Sequence, residues 1–209
     1  MKYIFVAGAP GSKWSSVVKN IYYSPSIDNS DYSDARTYYH DADGSMNLMH
    51  IGSYFDPGME FDIPEDLCSI TKFQAEQIFD SAFDSPNDKI KIIKSHIFSY
   101  YKNTEYLKSQ WPDSPVVLVY RSDDSCLGWW VRCGHFNITY PRYDSYYRDL
   151  RVMGQLIDRQ NKGILESWTR YPGIMPRSNL ELAEILKIEP PPNYFQNYLE
   201  KDIQVKVIL

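Results

Sequence analysis

An α/β fold built on a central, mostly parallel β-sheet is what the sequence predicts, on two observations. Three short runs rich in Ile and Val each end at a turn or polar cluster, and helical patterns separate them. Near-continuous apolar runs suit parallel strands covered by helices on both faces, which gives a three-layer sandwich. The length of 209 residues suits one domain, 1–209, with room for a sizeable core.

The elements follow in order. Lys2–Ala7 reads as the first strand, followed by a Gly/Pro/Ser turn and a helix start. Tyr22–Pro64 is rich in Asp, Ser, Tyr and Gly, with a short apolar stretch at Met46–Tyr54. It reads as an insertion, 22–64, that serves either as a substrate loop or as a surface excursion. Ser69–Phe83, Tyr100–Trp111 and Asp123–Phe136 have helical patterns, and Lys89–Lys94 and Pro115–Tyr120 are the other two strands. Tyr146–Trp168 is a long helix, and Ser178 or Asn179 can cap another at Leu180–Leu186. After the stiff Pro190-Pro191-Pro192 connection, Ile203–Leu209 reads as a final strand at the sheet edge.

Composition narrows the function classes. The net charge of −5 argues against nucleic acid or a membrane surface as partner. No stretch approaches a membrane span. The cysteines are Cys68, Cys126 and Cys133, an odd number with no C-x-x-C, so reduced core thiols and a cytoplasmic location are expected. His40, Asp41, Asp43 and His50 lack metal-ligand spacing and read as a solvated acidic turn.

Ligands of open α/β sheets bind outside the carboxyl ends of the strands, and here all three ends carry polar chemistry. The first is Pro10-Gly11-Ser12-Lys13-Trp14-Ser15-Ser16, a turn into a helix whose N–H groups can cradle a phosphate-like anion. It is P-loop-like but too short for the standard motif, and Trp14 replaces the magnesium-binding hydroxyl. The second is Lys94-Ser95-His96, where His96 can take a proton from a hydroxyl nucleophile and Lys94 can stabilise charge on a transferring group. The third is Arg121-Ser122-Asp123-Asp124-Ser125, where Arg121 can clamp a phosphate or pair with Asp123 or Asp124.

In order and spacing the three segments resemble those of sulfotransferases that use 3′-phosphoadenosine 5′-phosphosulfate (PAPS). Pro10, Ser12 and Ser15 match the family's 5′-phosphosulfate loop, Lys94-Ser95-His96 its Lys-Thr-His segment, and Ser114–Trp130 its 3′-phosphate strand and helix. The resemblance covers about residues 1–20 and 88–136. Gly11 stands where the family has a basic residue, Lys13 where it has a glycine, and Trp129 where it has a serine, for which Ser125 is the nearest substitute. The resemblance implies transfer of a sulfuryl group to a small-molecule or glycan hydroxyl, without metal. His96 is then the general base, Lys13 and Lys94 the charge-stabilising residues, and Arg121 and Ser125 the 3′-phosphate ligands. Two readings stand beside it: a P-loop nucleotide kinase or related NTPase, and a non-catalytic nucleotide-binding module. Trp129-Trp130 as a base platform, Tyr38, Tyr39, Tyr54 and Phe55 as an acceptor wall, and Arg170 or Arg177 as a further charge complete the candidates.

Overall fold

The computed structural model describes residues 1–31, 39–40, 47–48, 52–59, 61–84, 88–132, 149–191 and 201–209. Strands are β1 (Tyr3–Gly8), β2 (Ile27–Asp28), β3 (Tyr39–His40), β4 (Asn47–Leu48), β5 (Ile90–Lys94), β6 (Val116–Tyr120) and β7 (Gln204–Ile208). Helices are α1 (Trp14–Tyr22), α2 (Lys72–Asp80), α3 (Tyr101–Gln110), α4 (Asp123–Arg132), α5 (Leu150–Arg170) and α6 (Asn179–Leu186).

The central sheet runs β2-β5-β1-β6-β7, with β2, β5, β1 and β6 parallel and β7 antiparallel at the edge beside β6. β3 and β4 form a separate antiparallel pair. Every residue of β1 is buried, which is why its sequence is a continuous apolar run. Side chains alternate between two cores. Ile4, Val6, Ile92, Val117 and Val207 pack with Val17, Val18 and Ile21 of α1 and Leu182 and Leu186 of α6. Tyr3, Phe5, Ala7, Ile93 and Leu118 pack with Phe79 of α2, Leu107 of α3 and Ile164 of α5 on the other face. Helices therefore cover both faces of the sheet.

Local chemistry places the helix ends. The helical stretch expected from Ser69 begins at Lys72, because Asp66 caps a separate 3-10 turn, Leu67–Ser69, and Thr71 and Gln74 form a capping box. Asp149 caps α5 through the N–H groups of Arg151 and Val152, and Ser178 caps α6. The long helix thus starts at Leu150, and the expected 146–148 extension lies outside the described residues. Cys126 is buried, but Cys68 is exposed and is not a core thiol; Cys133 lies outside the described residues. Among the described residues no helix is long and apolar enough to cross a membrane.

α5 lies close against the turn that follows β5. A Cβ on Gly163 would strike the Ser99 carbonyl and sit 3.0 Å from Tyr100 Cα. In an open helix alanine is favoured over glycine by about 1 kcal/mol. Here the backbone clash outweighs that preference, so Gly163→Ala is expected to destabilise the fold by about 2 kcal/mol in urea denaturation. A variant more stable than the parent would show that α5 is not pressed on this turn.

Candidate functional site

β1 sends the chain to α1 on one face, whereas its neighbour β5 leads to α3 on the other. The connections diverge at the carboxyl end of β1, where such sheets open a crevice. Ala9–Ser12 makes a tight turn there: Ser12 N donates to the Ala9 carbonyl at 3.0 Å, with Pro10 and Gly11 in the middle. Gly11 has φ 77°, which this kind of turn demands at its third position. A Cβ on Gly11 would also fall on the Cys126 carbonyl of α4, so no side chain fits. Gly11 is therefore a requirement of this chain's own packing.

Lys13 follows in the left-handed region, φ 58° and ψ 25°, at the N-cap of α1, and no side chain caps the helix. The turn directs Lys13 outward: its Nζ lies 4.5 Å from the Trp129 ring centroid. Arg121 and Arg132 approach the same ring, at 5.9 and 6.0 Å. Three cations thus surround one half-buried indole of α4. Trp130, next to it, packs into the core with Met153 and Ile157.

Arg121 is nearly buried. Its Nη1 donates to the Gly11 carbonyl at 3.0 Å, and its Nε and Nη2 meet one oxygen of Asp202, at 2.7 and 2.5 Å. Its acidic partner is thus neither Asp123 nor Asp124 but a residue far along the chain. Asp123 instead accepts from Asn161 Nδ2 at 2.6 Å, and that same amide holds the Arg121 carbonyl at 2.8 Å. Burial pushes the Asp202 carboxyl up, but hydrogen bonds and charge from Arg121, with the charge of Lys13, hold it below the ordinary value. Ser122 Oγ receives Ser125 N at 3.4 Å, and Ser125 is half-buried in the first turn of α4.

His96 lies on the other side of the loop. Its ring stacks on Trp14, 4.3 Å between centroids and 16° between planes, and Tyr54 meets it edge-on at 5.3 Å. Its Nδ1 bonds the Gly8 carbonyl. A carbonyl only accepts, so Nδ1 carries the proton and Nε2 is left as the basic atom. Burial lowers the His96 pKa and the charge of Lys94 lowers it further, against the opposing effects of Asp56 and the Gly8 carbonyl. Lys94 itself is 1% exposed at the end of β5.

Asp56 was not legible as a site residue. Its buried carboxylate accepts from Ser95 Oγ at 2.8 Å and from His96 N and Ile97 N at 3.3 Å, so it fixes the 3-10 turn His96–Ser99. The only local signal was its place in 22–64. Asp202 carried no signal either.

The candidates thus fall into two groups around one loop. Gly8, Trp14, Lys94 and His96 form one; Gly11, Lys13, Arg121 and Trp129 form the other. Ser12 Oγ is buried with no hydrogen-bond partner among the described residues, while Ser15 and Ser16 lie half-buried in the first turn of α1. Tyr54 joins the first group, but Phe55 is fully buried in the core and cannot line an acceptor wall. Tyr38 and the side chain of Tyr39 lie outside the described residues. Arg170 pairs with Glu166 at 3.0 Å on the surface of α5, and Arg177, just ahead of the α6 cap, pairs with Glu181 at 3.5 Å. Among the described residues no cluster of three or more His, Cys, Asp or Glu could hold a metal ion; Asp41, Asp43 and His50 lie outside them.

No family model matches the chain, and neither does any curated protein or solved structure.

The lowered His96 value has a pH signature. The unfolded chain binds this proton first, at about 6.5, so the stability from neutral His96 is complete above that pH and is lost as pH falls below it. His96→Gln is expected to flatten the fall in urea midpoint between about pH 8 and about pH 5.5. An unchanged slope would mean that His96 is not held neutral by the fold.

Proposed function

We propose that the chain is a P-loop-like sulfotransferase that moves a sulfuryl group from PAPS to an acceptor hydroxyl. One observation carries the reading: a single tight βα loop has a neutral, proton-accepting histidine on one side and a three-cation cluster around an indole on the other.

The proposed chemistry assigns each group one task. His96 Nε2 takes the acceptor's proton as the new S–O bond forms, and the lowered pKa keeps this atom unprotonated at neutral pH. Lys94, whose charge acts on His96, would neutralise charge on the sulfuryl oxygens and the departing phosphate as the bond from sulfur to that phosphate breaks. Main-chain N–H groups at the uncapped start of α1 receive the 5′-phosphosulfate. Ser15 and Ser16 can add hydroxyl donors. Lys13, Arg121 and Ser125 face the 3′-phosphate. Positioning and electrostatics then account for most of the rate.

Trp14 bears against the kinase reading, since a buried ring stacked on His96 offers no oxygen to magnesium. The non-catalytic reading draws on a different fact: His96 and Arg121 both hold loop carbonyls, a task that needs no reaction.

Calorimetry with adenosine 3′,5′-bisphosphate against ATP–magnesium tests the donor. Binding of the bisphosphate without metal and preference for it over ATP are expected; preference for ATP, or binding of neither, overturns the proposal. A radiolabelled donor offered to phenols, alcohols and glycans tests the reaction. His96→Ala is expected to lower transfer by about a hundredfold or more while bisphosphate binding persists. Unchanged transfer in both His96→Ala and Lys94→Ala would leave only the non-catalytic module.

A further inference from the structure

The nitrogens of Arg121 divide their work. Nη1 is anchored to the Gly11 carbonyl, while Nε and Nη2 converge on one oxygen of Asp202. Two guanidinium N–H groups gripping a single oxyanion is also how arginine holds a phosphate oxygen. Lys13 adds its charge to the same carboxylate, and Arg132 lies 6.0 Å from the Trp129 ring centroid. Asp202 therefore sits where the cationic cluster would place an anion.

The two partners differ in accessibility. The Arg121 side chain is 9% exposed and that of Asp202 is 43% exposed, on a turn just before β7. The carboxylate partner is open to water, so it can leave the fork for solvent, and a multiply charged phosphate competes well against a single carboxylate. Because the anchor to Gly11 uses a different nitrogen, the fork keeps its aim when Asp202 lets go.

We propose that Asp202 is an internal stand-in for a phosphate: it fills the Arg121 fork in the unliganded protein and yields it to a phosphate-bearing ligand bound beside Trp129. The proposal rests on the phosphate-binding reading of the β1–α1 loop, and it adds a built-in competitor that sets the affinity. The ligand group is a phosphate monoester or a pyrophosphate.

The test titrates Asp202→Asn and the parent protein with inorganic pyrophosphate and, separately, with adenosine 3′,5′-bisphosphate. The variant is expected to bind pyrophosphate more tightly by about tenfold, because the competent fork no longer has to be vacated. Equal or weaker binding, or no binding by either protein, overturns the proposal. If only the pyrophosphate result appears and neither protein takes the bisphosphate, the competitor role stands and the PAPS reading falls. If Asp202→Asn gains nothing toward pyrophosphate while the bisphosphate binds both proteins equally, the reverse holds. Asp202→Ser is a second variant should the first fail to fold. In the parent, carboxyl NMR adds an independent reading: the Asp202 pKa is expected to rise when pyrophosphate saturates the protein. A value that stays low at saturation would show that the ion pair never opens.

Discussion

The loop after β1 depends on where its carbonyl groups find donors. β1 is buried along its whole length, and its regular pairing ends at Gly8. The chain must then turn sharply in a crowded place, and a buried carbonyl without a partner costs about 1–3 kcal/mol. Three carbonyls are supplied in three ways. His96 serves Gly8, the Ser12 N–H serves Ala9, and Arg121 serves Gly11. Two of these donors come from the ends of β5 and β6, the strands on either side of β1. The positive φ angles of Gly11 and Lys13 belong to the same turn.

This arrangement joins structure and chemistry in the same side chains. The bond to Gly8 orders the His96 ring and selects its tautomer, which determines where its basic atom points. The bond to Gly11 orients the Arg121 guanidinium. Support for the site continues outward: Asp56 holds the turn that carries His96, and Asn161 of α5 holds the turn that carries Arg121. The frame around the loop is made of buried polar groups that already have partners in the fold.

How much could be read in advance follows from how local each cause is. β1, β5 and β6 were legible because double-sided burial writes an uninterrupted apolar run. The polar residues at their ends were legible for the same reason, as abrupt stops in those runs. β2 was not, because two residues, Ile27 and Asp28, pair with β5 through their backbone and leave no pattern. Asp202 was hidden by distance, since it meets a partner 81 residues away. Asp56 looked like one acidic loop residue among many. The direction of Lys13 depends on a left-handed φ that spacing does not encode, so its place over Trp129 rather than beside His96 emerged only from the folded backbone.

The position of β7 bears on how the molecule is made. It lies antiparallel beside β6, although β6 is completed more than eighty residues earlier in synthesis. Until β7 arrives, β6 is a bare edge strand of four or five apolar residues, open to pairing with a neighbouring nascent chain. Arg121 at its end meanwhile awaits its carboxylate. The same segment that closes the sheet brings Asp202, so edge protection and charge compensation come together. Such long-range closure slows folding and lengthens the interval in which the half-made protein needs shielding from aggregation.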